Sequence, residues 1–175
     1  YKDRNGILLS HDYLRPSTSP DGRGAGLSAP DGSPLYKLVV ENNPNVFLVL
    51  AGHEHGVGTN VKSNVGVTVA HDVVELLADY QFYTVSAGEL WPDLVDAAGN
   101  VDLDGDGDPE HKATARLQFG ASFLRLMQFD VDRAEMHIDT YSPLLENFGA
   151  TEYDIRADGS QTRPRYNGAE DNLTL

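Results

Sequence analysis

Histidine gives this sequence its clearest chemistry. Residues 52–56 read G-H-E-H-G after a long apolar run, and His11 ends a shorter apolar run. Side chains two positions apart in extended backbone point the same way, so His53 and His55 are expected to face one cavity. Because neutral imidazole is a good ligand for Zn, Fe and Mn, the three histidines predict a transition-metal site. The alternative is a set of loop histidines whose ring nitrogens bond to water and backbone.

Two predicted strands bring these histidines together. Residues 6–10 and 46–51 are short apolar runs, typical of strands covered on both faces in an α/β sheet. Between them, Ser33 as N-cap and Pro34 at the first helical position predict the start of a helix, and Pro44 ends it. Strand, crossover helix and strand predict a parallel, right-handed pair. The carboxyl ends of such strands, where open α/β sheets bind ligands, would carry the histidines.

The remaining segments extend this α/β pattern. Residues 16–32 are rich in Ser, Pro, Gly and Asp and predict a long surface loop. Residues 73–83 fit either a helix or a strand. Residues 123–129 and 135–141 predict two strands of a hairpin, the second with one buried and one exposed face. Beyond residue 149 the sequence is polar and weakly patterned, which indicates an edge extension or a tail.

The order of the segments resembles the calcineurin-like metallophosphoesterases, in particular their secreted bacterial members. Residues 7–11, I-L-L-S-H, resemble the fourth motif of that family, a strand that ends in a lone histidine. Residues 46–55 resemble its fifth motif, G-H-x-H. Later segments are similar to the strands that follow in the family, namely residues 77–81, 123–130 and 140–143. Residues 1–149 are therefore interpreted as the C-terminal portion of such a domain, and residues 150–175 as a polar C-terminal extension.

The resemblance implies both a fold and an activity. The chain is expected to form the C-terminal part of a four-layer αββα sandwich. Two divalent or trivalent transition metals, Mn, Fe or Zn, are expected, with His11 and His53 on one metal and His55 on the other. The implied reaction is hydrolysis of a phosphoester, either a monoester or a diester, in which the metals activate water and neutralise the phosphate.

Part of the family pattern is missing. The first three motifs, D-x-H, G-D-x-x-D and G-N-H-[DE], do not occur in the sequence. No residue present is therefore predicted to be catalytic; the missing N-terminal portion of the domain is expected to complete the site, and the chain alone to be inactive. Asp12, Glu54 and His71 are candidates for contacting the ligands or the substrate. For His71 the alternative is a purely structural role beside a capping Asp72.

An acidic stretch at residues 102–110, D-L-D-G-D-G-D-P-E, is a second candidate site. It matches the first half of a calcium loop, in which alternate carboxylates converge on the ion. The candidate ligands are Asp102, Asp104, Asp106 and Asp108. Ala113 stands where the twelfth-position glutamate is expected, so a solvated acidic loop is the alternative. The rival function is a non-enzymatic extracellular module that binds calcium here, or carbohydrate through the aromatic residues between 80 and 91.

Charge and composition exclude several classes of protein. Asp and Glu number 27 against 13 Lys and Arg, and the net charge of −14 argues against a nucleic-acid-binding patch. No apolar run approaches the roughly 20 residues of a membrane span. The absence of cysteine excludes disulfides and thiolate metal sites. The sequence has no initiator Met or signal peptide and is expected to be a piece of a longer, secreted or extracellular protein.

Overall fold

A four-stranded sheet of order β1-β2-β4-β3 positions the histidines. Its strands are β1 (Gly6–Ser10), β2 (Val46–Ala51), β3 (Gly56–Val65) and β4 (His71–Asp79). β2 pairs in parallel with both β1 and β4, whereas β3 runs antiparallel to β4. The computed structural model describes residues 2–19, 22–29 and 31–148, together with the backbone of three short strands farther along the chain.

The connection from β1 to β2 is helical, as predicted. The helix α1 (Gly32–Leu35) continues directly into a π-helical segment, Tyr36–Val40. The predicted parallel pairing of β1 and β2 is confirmed, with Leu8 opposite Val49. The predicted cap is wrong, because Asp31 occupies the N-cap position without a side-chain capping bond and Ser33 lies inside the first turn.

The central sheet buries apolar side chains on both faces, since successive residues of a strand point to opposite sides. One face packs against the helical segment and the loop that follows β1. Its buried members include Tyr13, Leu14, Val40, Val49, Val73 and Leu77. The other face packs Leu48 and Leu76 against Met136 and Ile138 of the C-terminal hairpin.

The second half of the described chain consists of short strands. They are β5 (Thr84–Ser86), β6 (Asn100–Val101), β7 (His111–Lys112), β8 (Arg116–Gln118), β9 (Leu124–Asp130), β10 (Glu135–Ser142) and β11 (Asn147–Phe148). A helical turn, α2 (Ala87–Leu90), and a 3₁₀ turn, Pro92–Leu94, follow β5. β9 and β10 confirm the predicted hairpin, and β10 also pairs with β11. β4 shows that the ambiguous segment at residues 73–83 is a strand as far as Asp79, after which the chain turns.

The predicted α/β fold, as the C-terminal part of a four-layer αββα sandwich, is wrong. Strands account for 42% and helices for only 11% of the chain, and the strands form small sheets. Two local features explain why strands predominate. After residue 55 the chain returns as the long antiparallel strand β3, and the segment that also fitted a helix begins with a β-branched run and is extended in β4.

Two expectations about burial are also corrected. β1 is an edge strand rather than a strand covered on both faces, because Ile7 is 47% and Leu9 is 73% exposed. The loop after residue 16 is not wholly on the surface, since Ser17 and Ser28 are buried.

The polar extension predicted for residues 150–175 lies outside the described residues, apart from the backbone of β12 (Asp154–Ile155), β13 (Gln161–Arg163) and β14 (Asn172–Thr174).

Across the part of the chain that the structure describes, no helix has the length and apolar character needed to cross a membrane.

Candidate metal centre

His11 and His53 meet at the carboxyl ends of β1 and β2. The Nδ1 atom of His53 lies 3.3 Å from the Nε2 atom of His11. The two rings are 4.5 Å apart between centroids and inclined at 66°. Both side chains are exposed, so a ligand can reach their nitrogens from solvent. The parallel pairing of the strands therefore brings together two imidazoles that are 42 residues apart in the sequence.

The separation of these two nitrogens fits the ligation of one metal ion. Two imidazole nitrogens at about 2.0–2.1 Å from a tetrahedral Zn²⁺ are about 3.3 Å from each other. The observed distance of 3.3 Å is equal to this spacing. The same distance also suits an N–H···N hydrogen bond in which one imidazole donates to the other, the role of each ring depending on its tautomer. The distance alone therefore fits either two ligands of a single transition metal or a hydrogen-bonded pair of imidazoles.

The backbone between the two strand ends aims His53 at His11. His53 has a φ of 67°, in the left-handed region, and the Gly52 N–H donates to the backbone oxygen of His11 over 3.2 Å. The Glu54 N–H donates in turn to the Gly52 oxygen, which closes a tight turn. The premise that His53 and His55 share one direction on extended backbone is therefore wrong. A positive φ is uncommon at a non-glycine residue, although histidine adopts it more readily than most.

His55 lies in a separate environment. Its ring meets the ring of Phe82 edge to face, with centroids 4.0 Å apart. Among the described residues, no group of three metal-ligating side chains with atoms within 4.8 Å of one another includes His11, His53 or His55. The assignment of His55 to a second metal stays a prediction. Of the three predicted ligands, the structure brings His11 and His53 into contact.

Asp12 and His11 also line a cleft beside the histidine pair. The cleft has a volume of about 420 Å³ and lies between the end of β1 and the helical connection. Its lining residues are Ser10, His11, Asp12, Asp31, Pro34, Leu35, Leu38 and Val39. The Oδ1 atom of Asp12 is buried and has no hydrogen-bond partner among the described residues. That Asp12 contacts the metal ligands or the substrate stays a prediction.

A buried carboxylate anchors the loop that follows His11. Glu75 is fully buried, and its carboxylate accepts a 2.6 Å hydrogen bond from the Tyr13 hydroxyl. Lys62 contacts both carboxylate oxygens at 2.7 and 2.8 Å, and Asn60 donates to one of them over 3.2 Å. Burial, followed by the hydrogen bond to Glu75, raises the pKa of Tyr13 above its usual range. This network fixes Tyr13 only two residues beyond the candidate ligand His11.

Sequence reasoning missed Glu75, although the sequence carries a signal for it. Glu75 is the one acidic residue within the apolar run 73–77. A buried carboxylate requires charged or hydrogen-bonding partners, because its desolvation is otherwise too costly. A lone acid in a buried strand therefore indicates a polar network, although its partners cannot be identified without the fold.

His71 is not near the histidine pair, contrary to the role considered for it. It is the first residue of β4, whereas Leu77 of the same strand lies beside Ala51 at the end of β2. Six residues of extended strand span about 20 Å, so His71 lies at the opposite end of the strands from the histidine pair. Its Nδ1 atom lies 3.3 Å from the oxygen of Val69. Glu54, by contrast, lies in the turn that carries His53.

The acidic stretch forms the connection between β6 and β7. One group of carboxylates there has ligand atoms within 4.8 Å of one another: Asp102, Asp104, Asp106 and Glu110. Asp108, a predicted ligand, is not in this group, and Glu110 takes its place. The carboxylates accept hydrogen bonds from backbone N–H groups of the loop itself, including 2.7 Å from Gly105 and 2.9 Å from Gly107 to Asp102. A two-stranded ribbon, rather than a pair of helices, holds this loop.

The aromatic residues considered for carbohydrate binding are engaged within the protein. Tyr80 and Tyr83 are buried and pack with Phe123. The Trp91 ring stacks on His111 at 5.9 Å with nearly parallel planes. Carbohydrate binding by the aromatic residues between 80 and 91 stays a prediction.

Comparison with known proteins gives one uncharacterised relative. The chain is 28% identical over 154 residues to the "Uncharacterized protein YvnB" of Bacillus subtilis (strain 168). The match covers 84% of this chain but only 8% of that protein, so the chain spans less than a tenth of the length of its relative. No protein-family model and no solved structure matches the chain.

Proposed function

We propose that this chain supplies histidine ligands to a dinuclear metal site that hydrolyses phosphoesters, as in the calcineurin-like metallophosphoesterases that its motifs resemble. The observation that carries the proposal is the 3.3 Å separation of the His11 and His53 ring nitrogens at the ends of two parallel strands. A spacing that fits one metal ion arises here from residues distant in sequence. In this proposal His55 binds the second metal, and residues outside this chain complete both ligand sets.

The roles of the chain's own residues follow from their positions. His11 and His53 hold one metal through neutral ring nitrogens. They lie exposed at the carboxyl ends of β1 and β2, where a phosphoester can reach them. The turn at residues 52–56 fixes the direction of His53, and the Tyr13–Glu75 bond fixes the loop next to His11. When bound, the metal ions supply Lewis-acid activation of water and of the phosphoryl group.

Metal binding by the chain tests the first part of this proposal. Titration with Co²⁺, followed by visible absorption, is expected to show a site that His11→Ala or His53→Ala weakens about a hundredfold, because each change removes one of two ligands. His137→Ala, on a strand of the other sheet, is the matched control and should bind Co²⁺ normally. Unchanged Co²⁺ binding in both variants would show that the two histidines are merely hydrogen bonded.

Hydrolysis of a chromogenic phosphodiester with Mn²⁺ or Zn²⁺ tests the second part. The complete gene product is expected to turn over, and His53→Ala to lower its kcat at least about a hundredfold by removing a metal ligand. The 175-residue chain alone is expected to be inactive. Robust metal-dependent turnover by the chain alone would refute the completion of the site by residues outside it.

A second candidate function is calcium binding by the acidic loop. The supporting observation is that one oxygen from each of Asp102, Asp104, Asp106 and Glu110 lies within 4.8 Å of the others. Weak sites of this kind suit an extracellular protein, where calcium reaches millimolar levels. Calorimetry with Ca²⁺ should give a site that Asp104→Asn abolishes, whereas Asp93→Asn, outside the loop, leaves it unchanged. An absence of Ca²⁺ binding below about millimolar concentration removes this candidate.

A further inference from the structure

We propose that Phe82 is a positioning residue for His55, and that the contact between their rings fixes the direction in which the imidazole meets the second metal ion. The inference rests on the proposed function, in which His55 binds that ion. Phe82 lies outside the histidine motifs, in a turn that follows β4.

The backbone around His55 does not determine where its ring points. His53 has a φ of 67° and Gly56 a φ of 135°, so the extended geometry that would align His55 with His53 is interrupted on both sides of His55. The χ2 torsion of histidine has broad, roughly two-fold wells, so the nitrogens of an unrestrained ring take several directions. A neighbouring side chain must therefore select one direction if the ring is to meet an ion at a defined point.

The ring of Phe82 restrains the ring of His55. Their centroids are 4.0 Å apart and their planes are inclined at 72°, an edge-to-face arrangement that aromatic pairs favour. Both side chains are half-buried, so the contact excludes part of the water around the imidazole. A restrained imidazole loses less conformational entropy when it binds a metal ion, and its affinity for the ion rises accordingly.

Phe82 can orient another ring because it is itself held in place. β3 begins directly after His55 and runs antiparallel to β4, so the residues that follow β4 lie at the same end of the sheet as His55. The Tyr83 N–H donates to the Tyr80 oxygen over 2.8 Å and closes a turn that contains Phe82. Tyr80 and Tyr83 are only 8% and 6% exposed, so both ends of this turn are anchored in the protein. A ring on such a turn has a fixed position from which it orients its neighbour.

A phenyl ring beside a metal ligand is expected to have a measurable effect on the affinity for the ion. Contacts to the ring of a ligating histidine orient it, and their loss commonly lowers metal affinity about 10- to 100-fold. Most such contacts are hydrogen bonds, whereas a phenyl ring acts by its shape and by excluding water. Loss of the Phe82 ring is therefore expected at the lower end of this range, about tenfold.

Equilibrium dialysis of the complete gene product against Zn²⁺ tests the inference by counting bound ions. The second ion is defined as the one that His55→Ala removes. Phe82→Leu keeps an apolar side chain without the ring and should raise the Zn²⁺ concentration for half-occupancy by this ion about tenfold. Phe82→Tyr keeps the ring and should bind the ion as the wild type does. Phe148→Leu, which removes a 64% exposed ring on β11, is the matched control and should change nothing.

NMR of the metal-free 175-residue chain gives a readout that is independent of the metal. The ring current of Phe82 should shift the imidazole C–H signals of His55, and Phe82→Leu should move these signals toward the values of free histidine. The Co²⁺ affinity of the His11–His53 pair should stay unchanged in Phe82→Leu, whereas a general loosening of the fold would lower it.

The outcomes separate this inference from the proposed function. If Phe82→Leu binds the second Zn²⁺ as tightly as the wild type, or if Phe82→Tyr weakens it equally, the positioning role is refuted and the dinuclear site stands. If the second ion depends on both His55 and the Phe82 ring but the gene product hydrolyses no phosphoester, the inference stands and the proposed function fails. If His55→Ala leaves the number of bound ions unchanged, both are refuted.

Discussion

The histidine pair and the acidic loop gather metal-ligating atoms by different routes. His11 and His53 are 42 residues apart and meet only because β1 and β2 pair in parallel. The acidic loop brings its carboxylates together within nine consecutive residues between two paired strands, β6 and β7. One site therefore depends on the central sheet, whereas the other depends on a short ribbon and its own turns.

The two regions also differ in how their oxygen and nitrogen atoms are engaged. In the acidic loop, backbone N–H groups already bond to the carboxylates, which stabilises the loop without an ion. At the histidine pair, the two ring nitrogens face each other, and both side chains are exposed. The difference shows that local acidic sequence can produce a compact cluster whose geometry is explained without a metal. The histidine pair instead depends on the pairing of β1 with β2, and a single hydrogen bond between its rings would also explain its geometry.

The largest expected effect is a strong coupling between the two histidines. If they hold one ion, His11→Ala and His53→Ala each lower Co²⁺ affinity about a hundredfold, and the double variant is only a few-fold worse than either. The corresponding coupling free energy is about 2–3 kcal/mol. Co²⁺ titrations of the four proteins measure it, and Ca²⁺ binding by the acidic loop should not change. Strictly additive losses would mean that the histidines act at separate ions.

The next effect concerns the buried anchor of the loop after His11. Lys62→Met removes the charged partner of fully buried Glu75 and should destabilise the fold by about 3 kcal/mol, since an uncompensated buried carboxylate remains. Urea unfolding measures the loss, and exposed Lys37→Met is the control. Adding Glu75→Leu to Lys62→Met should recover most of the stability. A double variant no more stable than Lys62→Met would contradict this account.

The local elements of the fold could be predicted from the sequence, but their arrangement could not. β1, β2 and the β9–β10 hairpin follow from apolar runs and alternation, although the apolar run of β1 does not report burial, since Ile7 and Leu9 are exposed. The long strand β3 was missed since its sequence is glycine-rich and polar, and its pairing with β4 supplies what local propensity does not. The four-layer arrangement of the expected sandwich came from resemblance, whereas the sequence itself predicted only the helix between β1 and β2 and left residues 73–83 open between helix and strand.

The candidate site likewise has features that the sequence predicts and features that it does not. The proximity of His11 and His53 could be predicted, because parallel strands end at one edge of a sheet. The direction of His55 could not, since it depends on the positive φ of His53 within the turn. The acidic group includes Glu110 rather than Asp108, and this too depends on the ribbon that closes the acidic loop. Turn geometry, rather than residue type, decides which side chains converge.

A smaller effect is expected from Tyr13→Phe, which removes one hydrogen bond to buried Glu75. The O–H···O distance is 2.6 Å, and loss of a bond to a charged acceptor should destabilise the fold by about 1.5–2 kcal/mol. Co²⁺ affinity at the histidine pair should fall a few-fold, because the loop after His11 is held less firmly. Tyr141→Phe, on β10, is the control for both measurements. A loss of stability with unchanged Co²⁺ affinity would show that Tyr13 does not position His11.

The smallest effect is expected at the turn that precedes the acidic loop. Ser86 caps α2 in a reciprocal capping box: its hydroxyl accepts from the Glu89 N–H, and the Glu89 carboxylate accepts from the Ser86 N–H. Ser86→Ala should destabilise the fold by about 1 kcal/mol. It should leave Co²⁺ binding unchanged, because α2 contacts the ribbon through Gly88 and Ala113 rather than the central sheet.

This cap also gives a pH dependence with a defined sign. The side-chain hydrogen bond from Ser86 is the main cause that lowers the pKa of Glu89. A carboxyl group with a lowered pKa in the folded state stabilises fully above its ordinary pKa of about 4.3, and loses that contribution as the pH falls through the lowered value. Thermal unfolding of Ser86→Ala should therefore differ more from the wild type at pH 6 than at pH 3. The exposed control Ser63→Ala should show no such difference. A loss of stability in Ser86→Ala that is the same at both pH values would indicate that Glu89 plays no part in the cap.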